Sequence, residues 1–403
     1  MPVPVRQRKI LVAGSAETEL PEVCQELNAT TSNWVWRHAL NGMSALDLLT
    51  REPFDAVVAD LRLNDLSGLQ LLNQVMAQWP KAHRLILADP GALDALLRCV
   101  GGVHQFLARP CEPQRLLAVL SRAFKLDVWL PNETVRKLLG RLPFLPSHAD
   151  AYHAVVAHLE AGRLEEASRQ IALDPPMAAK LLQLANSAAW GPPLDEADPA
   201  QAARELGLSN VRRTLLLSHT YSGFRDLEVA GFEIGGFVVH ARQTSEIARR
   251  IAELECAPPE MVEQATAAGL LHNLGKLALA VNLPHKYGAV LKAQANARLA
   301  SWEAEQEVVG ATHGEVGGSL LALWSLPLPV IEAVAFHHHP ACFLSQAFSP
   351  LTAVHVANAF LGCVSLEQAR SRLDLGYLGM IGVEQRLPDW WSCRADHPHP
   401  PKS

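Results

Sequence analysis

Short apolar runs alternate with helix-length amphipathic stretches over the first third of the chain, and beyond them only the helical pattern continues. The runs are Ile10-Leu11-Val12-Ala13, Trp34-Val35-Trp36, Ala56-Val57-Val58-Ala59, Leu85-Ile86-Leu87-Ala88 and Gln105-Phe106-Leu107-Ala108. They are apolar at successive positions, so the strands they predict are covered on both faces. Between and after them, residues 19–27, 44–50, 69–78, 93–100 and 113–124 carry apolar positions at helical spacing. This alternation predicts an α/β, doubly wound, five-stranded parallel sheet, with functional groups at the carboxyl ends of its strands. Asp60 stands at such an end.

The later pattern predicts an all-α domain. A connector helix is expected over 126–140, closed by Gly140 and broken by Pro143 and Pro146, which cannot continue a helix. Further helices are expected at 149–161, 164–172, 177–185, 199–206, 211–221 and 234–254. Asp174-Pro175-Pro176 reads as a helix start, with an acid to cap the free amides and proline in the first turn. The pairs Gly235-Gly236 and Gly317-Gly318 read as points where helices approach closely. Residues 351–361, 366–373 and 375–387 continue the helical pattern, with Trp390-Trp391 packing back, and 395–403 is expected to be a disordered tail.

Composition narrows the class. The chain has 403 residues, 49% of them hydrophobic, enough for two or three packed domains. Its formal net charge of −6 and lack of a long basic run give no footprint for direct DNA binding. The seven cysteines are scattered without a C-x-x-C pair, which argues for reduced thiols. No apolar run reaches membrane-spanning length and no signal peptide is evident, so a soluble cytoplasmic protein is expected.

The segment Phe54-Asp55-Ala56-Val57-Val58-Ala59-Asp60-Leu61-Arg62-Leu63-Asn64-Asp65-Leu66-Ser67-Gly68-Leu69 resembles the phosphoacceptor strand and loop of two-component receiver (CheY-like) domains. The resemblance covers about residues 7–125. It implies that Asp60 is the candidate aspartyl-phosphate site and that Mg²⁺ would be needed there, because a cation must neutralise the incoming phosphoryl oxygens. The family's other chemical positions are emptied. Gly14 and Ser15 stand where two acids are expected, Ala88 replaces a hydroxyl residue, and Arg109 replaces a lysine. Glu17 lies nearby but off the motif. A phosphorylatable switch and a pseudo-receiver kept for docking or dimerisation are both open.

A second series comes in a fixed order: Leu142-Pro143, Leu145-Pro146, Asp174-Pro175, Leu184-Ala185-Asn186-Ser187, Leu206-Gly207, Leu270-Leu271-His272-Asn273-Leu274-Gly275-Lys276, His313-Gly314-Glu315-Val316-Gly317, Trp324-Ser325-Leu326-Pro327 and His337-His338-His339-Pro340. It resembles the HDOD domain, a relative of the HD metal-dependent phosphohydrolases, over about residues 137–345. The superfamily gathers histidines and aspartates around one or two cations. The matching candidates are His240, His272, His313, His337 and His338, with Asn273 and Asn358 standing where aspartates would be. An amide oxygen cannot bridge two cations or cancel their charge. A vestigial transition-metal site and a set of structural core histidines both remain open, and Lys276 either meets a phosphate or reaches solvent by its stem. Glu315 is expected to cap a helix or face a neighbouring one.

The expected organisation is a degenerate receiver-like domain at 7–125, a helical connector at 126–146, an HDOD domain at 137–345 and a helical extension at 346–394. The resemblances imply a bacterial signalling protein, with a sensor kinase upstream, an effector downstream, and a homodimer paired through the fourth and fifth receiver helices. Its output domain would bind a protein or a nucleotide, a cyclic dinucleotide among the possibilities. The alternative is a metal-dependent phosphohydrolase or phosphodiesterase gated by phosphorylation of Asp60.

Overall fold

Residues 7–89, 103–129, 132–140, 145–187, 195–217, 231–297, 299–342 and 347–394 are described by a computed structural model. Strands β1 (Arg8–Ala13), β2 (Trp34–Ala39), β3 (Ala56–Asp60), β4 (His83–Ala88) and β5 (Gln105–Ala108) form a parallel sheet in the order β2-β1-β3-β4-β5. All five fall on the apolar runs of the sequence. Helices α1 (Leu20–Thr30), α2 (Gly42–Arg51), α3 (Gly68–Gln78) and α4 (Pro113–Trp129) accompany it. The helix expected at 93–100 lies outside the described residues, as do residues 141–144 of the connector and the tail 395–403.

Alternate residues of each strand serve different cores. Ile10, Val12, Val58, Leu85, Leu87 and Leu107 pack with Leu20, Leu27, Leu116 and Leu120 of α1 and α4. The opposite set, Leu11, Val57, Ile86 and Phe106, packs with Leu71, Leu72 and Val75 of α3 and belongs to a cluster that runs on into the helical domain. That is why the strands read as continuous apolar runs.

The connector differs from the sequence expectation. Helix α4 continues to Trp129, and a separate helix α5 (Glu133–Leu139) starts at Asn132, whose Oδ1 accepts from the amides of Thr134 and Val135. Asn132 is a strong N-cap and divides what its spacing suggests is one helix. Gly140, directly after α5, lies so close to the receiver-like unit that a Cβ there would sit 1.9 Å from the Pro80 carbonyl oxygen.

The helical domain continues with α6 (Ala149–Glu160), α7 (Leu164–Ile171), α8 (Pro175–Ala185), α9 (Pro199–Leu217), α10 (Ile234–Leu254), α11 (Pro259–Leu271), α12 (Leu274–Asn282), α13 (Pro284–Ala297), α14 (Ser301–Val309), α15 (His313–Leu323), α16 (Leu328–Phe336) and α17 (Pro350–Phe360). Asp174 caps α8 as expected, its Oδ1 accepting from Met177 N at 3.0 Å and from the Ser147 hydroxyl at 2.7 Å. Gly207 (φ 75°, ψ 161°) kinks α9 and separates the two helical segments read from the sequence. The last described elements are α18 (Leu366–Arg370), α19 (Leu375–Met380) and α20 (Leu387–Ser392). Buried Trp390 donates its indole N–H to Glu255 Oε1 at 2.8 Å and fixes this end to α10.

The glycine pairs separate. A Cβ on Gly318 would meet Ala335 at 2.6 Å and one on Gly317 would meet Val334 at 3.1 Å, so α15 and α16 do approach there. At Gly235 and Gly236 nothing lies within 4 Å, and the expected close approach is absent. Among the described residues no helix is long and apolar enough to cross a membrane.

Polar contacts join the two units. Gln105 donates to Leu323 O at 2.6 Å and to Ser325 Oγ at 2.8 Å, Arg122 donates to Ser325 O at 3.1 Å, and Gln183 donates to His104 O at 3.2 Å. The receiver-like sheet therefore grips the C-terminal end of α15, the helix that begins at His313.

Candidate functional site

The carboxyl end of β3 places Asp60 in the sheet interior, 1% exposed. Its Oδ1 accepts from Arg62 N at 2.8 Å, and its Oδ2 pairs with Arg109 Nη1 at 3.0 Å. Arg109 is also held by Glu19, with Nη2 to Oε2 at 2.7 Å and Nε to Oε1 at 3.2 Å. Burial pushes the Asp60 carboxyl above its ordinary range, while the Arg62 amide and Arg109 oppose the shift. Hydrogen bonding to Arg109 holds Glu19 below the usual carboxylate range. Glu19, which precedes α1, is the acid that reaches this group. The receiver motif points to Gly14 and Ser15, with Glu17 nearby, and only proximity in the fold reveals Glu19.

The residues do not fit a Mg²⁺ site. Gly14 and Ser15 supply no carboxylate, and the oxygen of Asp60 that a cation would share with the phosphoryl group faces a guanidinium. Ala88 is buried and offers no hydroxyl. No phosphoryl-transfer step follows from this geometry.

In the helical domain α10, α11, α15, α16 and α17 bring the predicted histidines together. His272 and His337 are fully or almost fully buried with ring centroids 5.1 Å apart, and His240 lies 5.3 Å from His272. His313 Nε2 is 3.3 Å from His337 Nε2 and 3.1 Å from His338 Nε2. These contacts come from two helix ends, the start of α15 and the turn after α16, meeting across the Gly317-Gly318 approach.

The hydrogen-bond network sets the tautomers. His272 Nδ1 faces the Gly269 carbonyl at 2.7 Å and His337 Nδ1 faces the Val334 carbonyl at 2.9 Å. A carbonyl only accepts, so both Nδ1 atoms carry the proton and both Nε2 atoms present lone pairs. Glu305 Oε2 accepts from His313 N at 2.7 Å and from His313 Nδ1 at 2.6 Å, which leaves His313 Nε2 as a lone pair too. Burial drives the three imidazoles below their ordinary pKa, His337 to about 3, so they are neutral. His272 Nε2 has no hydrogen-bond partner among the described residues.

Asn273 does not join the cluster as a charge. It is 4% exposed and its Oδ1 has no hydrogen-bond partner among the described residues. Asn358 Oδ1 lies 3.0 Å from His240 Nε2, an amide tied to one ring. Glu315 instead caps α15, accepting from Thr312 N at 2.8 Å, as its spacing suggests. His355 is structural: its Nδ1 donates to His337 O at 2.7 Å and its Nε2 accepts from Asp374 N at 3.0 Å. A two-metal centre of the His-Asp kind therefore does not fit, because neither amide can bridge cations.

Beside the cluster opens a cleft of about 700 Å³, lined among others by His240, Lys276, Trp302, His337, His338 and Arg372. Burial lowers the Lys276 pKa, and the Glu305 carboxylate opposes that shift. Burial pushes Glu305 itself up to about 7 against the same lysine. Glu305, Trp302 and Arg372 belong to no motif of the sequence. Glu305 carries a legible signal, since it sits eight positions before His313 on the buried side of a helix; Trp302 and Arg372 carry none.

Comparisons with known proteins agree with this layout. A response regulator receiver domain matches residues 19–121, and an HDOD domain matches residues 142–340. Over 110 residues the chain is 34% identical to the response regulator protein PilR of Pseudomonas aeruginosa, covering 27% of this chain and 25% of that protein. Over 255 residues it is 25% identical to an uncharacterized protein of Treponema pallidum, covering 63% of this chain and 48% of that one. The chain thus spans half or less of the length of the curated relatives it matches. Among solved structures, a virulence factor from Campylobacter jejuni aligns over 67% of this chain and 99% of its own, with a TM-score of 0.50 and 20% identity, a likeness of fold alone. The MmoQ response regulator from Methylococcus capsulatus covers 59% of this chain and 98% of its own, at a TM-score of 0.45 and 22% identity. The strand order, the Asp60 loop and the ordered helical motifs all fall inside the two matched spans, and the chain is a response-regulator-like protein that joins an N-terminal receiver domain to a C-terminal HDOD domain.

Proposed function

We propose that this protein serves two-component signalling as a docking and binding module: a receiver that does not depend on aspartyl phosphorylation, coupled to an HDOD domain that binds a protein or nucleotide partner without turning it over. The observation that carries the reading is the Arg109 guanidinium 3.0 Å from Asp60, held in place by Glu19. A receiver that awaits phosphorylation keeps that carboxylate open to a cation. Here the positive charge is already built into the protein, so the arrangement corresponds to a fixed state rather than a switch. The contacts of Gln105 and Arg122 with the end of α15 give that fixed state a mechanical route to the histidine pocket.

The cleft favours a second reading for the ligand. Lys276, Arg372 and the Trp302 ring suit an anionic, ring-bearing molecule, so a nucleotide, a cyclic dinucleotide included, is a fitting occupant. Hydrolysis of it by the two-metal route would need a bridging carboxylate where Asn273 and Asn358 stand. A sensor kinase and an effector belong to the proposal as partners of the receiver and output surfaces. Pairing through the helix expected at 93–100 concerns residues outside the described ones.

Incubation of the full chain with acetyl phosphate and Mg²⁺, followed by intact-mass and peptide mass spectrometry, tests the receiver half. Unmodified Asp60 is expected. Stoichiometric aspartyl phosphate at Asp60 would overturn the fixed-state reading.

A further inference from the structure

Helix α15 ends in a cap that favours glycine and holds serine. Leu326 N donates to Leu321 O at 3.1 Å and Ser325 N to Ala322 O at 3.0 Å, a Schellman arrangement with buried Leu326 after the left-handed residue. Ser325 is that residue, at φ 57°. A side chain is disfavoured there because its Cβ crowds the following carbonyl, and glycine is the usual occupant. The motif satisfies the carbonyls of Leu321 and Ala322 from within the helical domain. The groups beyond them are satisfied from the receiver. Buried Gln105 of β5 donates through Nε2 to Leu323 O at 2.6 Å and to Ser325 Oγ at 2.8 Å. Arg122 of α4 donates to Ser325 O at 3.1 Å and brings a cation to the helix C-terminus, where positive charge is favoured.

We propose that Ser325 is a conditional helix cap: the receiver, through Gln105 and Arg122, completes the end of α15 and so controls how firmly that helix is seated. A residue in a disfavoured backbone conformation persists where its surroundings over-determine it, and here half of those surroundings belong to the other domain. Glycine at 325 would make the helical domain self-sufficient; serine makes its cap depend on the joint. The effect is not confined to the last turn. A Cβ on Gly275 would lie 1.9 Å from His313 O and one on Gly318 would lie 2.6 Å from Ala335, so α15 is packed backbone against neighbour along its length. A helix seated that closely moves as a rod, and loosening at Ser325 reaches His313 at its other end. The cap supplies the residues for the coupling between receiver and histidine pocket proposed above, and rests on that reading for its direction. Its test involves neither phosphorylation nor a ligand, so the two can fail separately.

The test is amide hydrogen exchange read by mass spectrometry on the full chain, in the wild type, Gln105→Ala, Ser325→Gly and the double variant. Gln105→Ala removes two hydrogen bonds to the cap and should speed exchange across residues 316–326 about tenfold. Exchange in α10 and α11 should stay as in the wild type. Ser325→Gly should exchange like the wild type, because relief of the backbone offsets the lost hydroxyl contact. In the Ser325→Gly background, Gln105→Ala should then change α15 by less than about threefold, a non-additivity that a merely structural contact would not give. Arg122→Met reaches the same cap from the half-buried α4 face and should show the same pattern at smaller size, which keeps the test open if Gln105→Ala folds poorly. Equal acceleration by Gln105→Ala in both backgrounds, acceleration spread evenly over the helical domain, or α15 unchanged in both Gln105→Ala and Arg122→Met would each overturn the proposal.

Discussion

Gly275→Ala is expected to destabilise the HDOD domain by about 3 kcal/mol, a fall in melting temperature of roughly 10 °C for a domain of this size. A Cβ on Gly275 would lie 1.9 Å from the His313 carbonyl oxygen and 2.8 Å from Gly317 N. Both are backbone atoms, so no side-chain rotation relieves the clash. Helices α12 and α15 must part, and α15 carries His313 away from His337 as it moves. Gly236→Ala is the control, an exposed helical glycine whose Cβ would meet nothing within 4 Å. Removing that glycine should be neutral or stabilising by up to about 1 kcal/mol, through the unfolded chain. Thermal melts of the two variants side by side decide the point: a Gly275→Ala protein as stable as Gly236→Ala would mean that the α12–α15 contact is not as close as described.

The second large effect concerns pH and the joint between the domains. Lys180 on α8 is 4% exposed, its ammonium donating to Gln183 Oε1 at 2.5 Å, while Gln183 in turn donates to His104 O of the receiver. Burial lowers the Lys180 pKa to about 7 from an ordinary 10.5. Between these values the unfolded chain binds the proton and the native one does not, so stability rises with pH across about 7 to 10.5 and is lost as pH falls towards 7. From pH 7 to 9 the change is up to about 3 kcal/mol. Lys180→Met keeps the stem volume and removes the titration. The expected result is that the rise in melting temperature between pH 7 and 9, relative to the variant, disappears in Lys180→Met. Carboxyls add slopes of the opposite sign lower down: Asp174, raised to about 6 by burial, contributes stability present below its ordinary pKa and lost as pH rises through about 6. The comparison at pH 7 and above isolates the lysine from it. An unchanged slope in Lys180→Met would show that this ammonium is solvated in the folded protein.

What could be read from the sequence follows from where the physics is local. Strands β1, β3 and β4 are legible because both faces of the sheet are buried there and their runs are apolar at every position, while β2 is legible from Trp34-Val35-Trp36 and β5 from the three apolar residues after Gln105. Helix starts such as Asp174-Pro175-Pro176 were legible because a cap acts on its own neighbours. Asn132 acts locally too, but a capping residue inside a continuous amphipathic pattern is masked by it, and the connector reads as one helix. The two glycine pairs look alike in sequence and differ completely in space, because only the packing of α15 on α16 distinguishes them. At the site, the five histidines are legible as an ordered series, yet which of them meet depends on the packing of α15 on α16, and which nitrogens face one another on Gly269, Val334 and Glu305. Glu19 was overlooked because the receiver motif points to positions 14 and 15, whereas charge balance around Arg109 is settled by whatever acid the fold brings within reach. Arg84, fully buried on β4 with Nη2 2.6 Å from His104 Nε2, shows the same limit: a charge inside an apolar run marks a polar joint without naming its partner.

Carboxylates are replaced around both retained folds, by Asn273 and Asn358 in one domain and by Gly14 and Ser15 in the other, and this is what removes catalysis. The most direct test is hydrolysis by the full chain, untagged and loaded in turn with Zn²⁺, Mn²⁺ or Mg²⁺, assayed on cyclic dinucleotides, nucleotides and a simple phosphodiester. No turnover above that of His272→Ala is expected under any loading. Metal-dependent turnover that His272→Ala abolishes would contradict it and make the HDOD domain an enzyme.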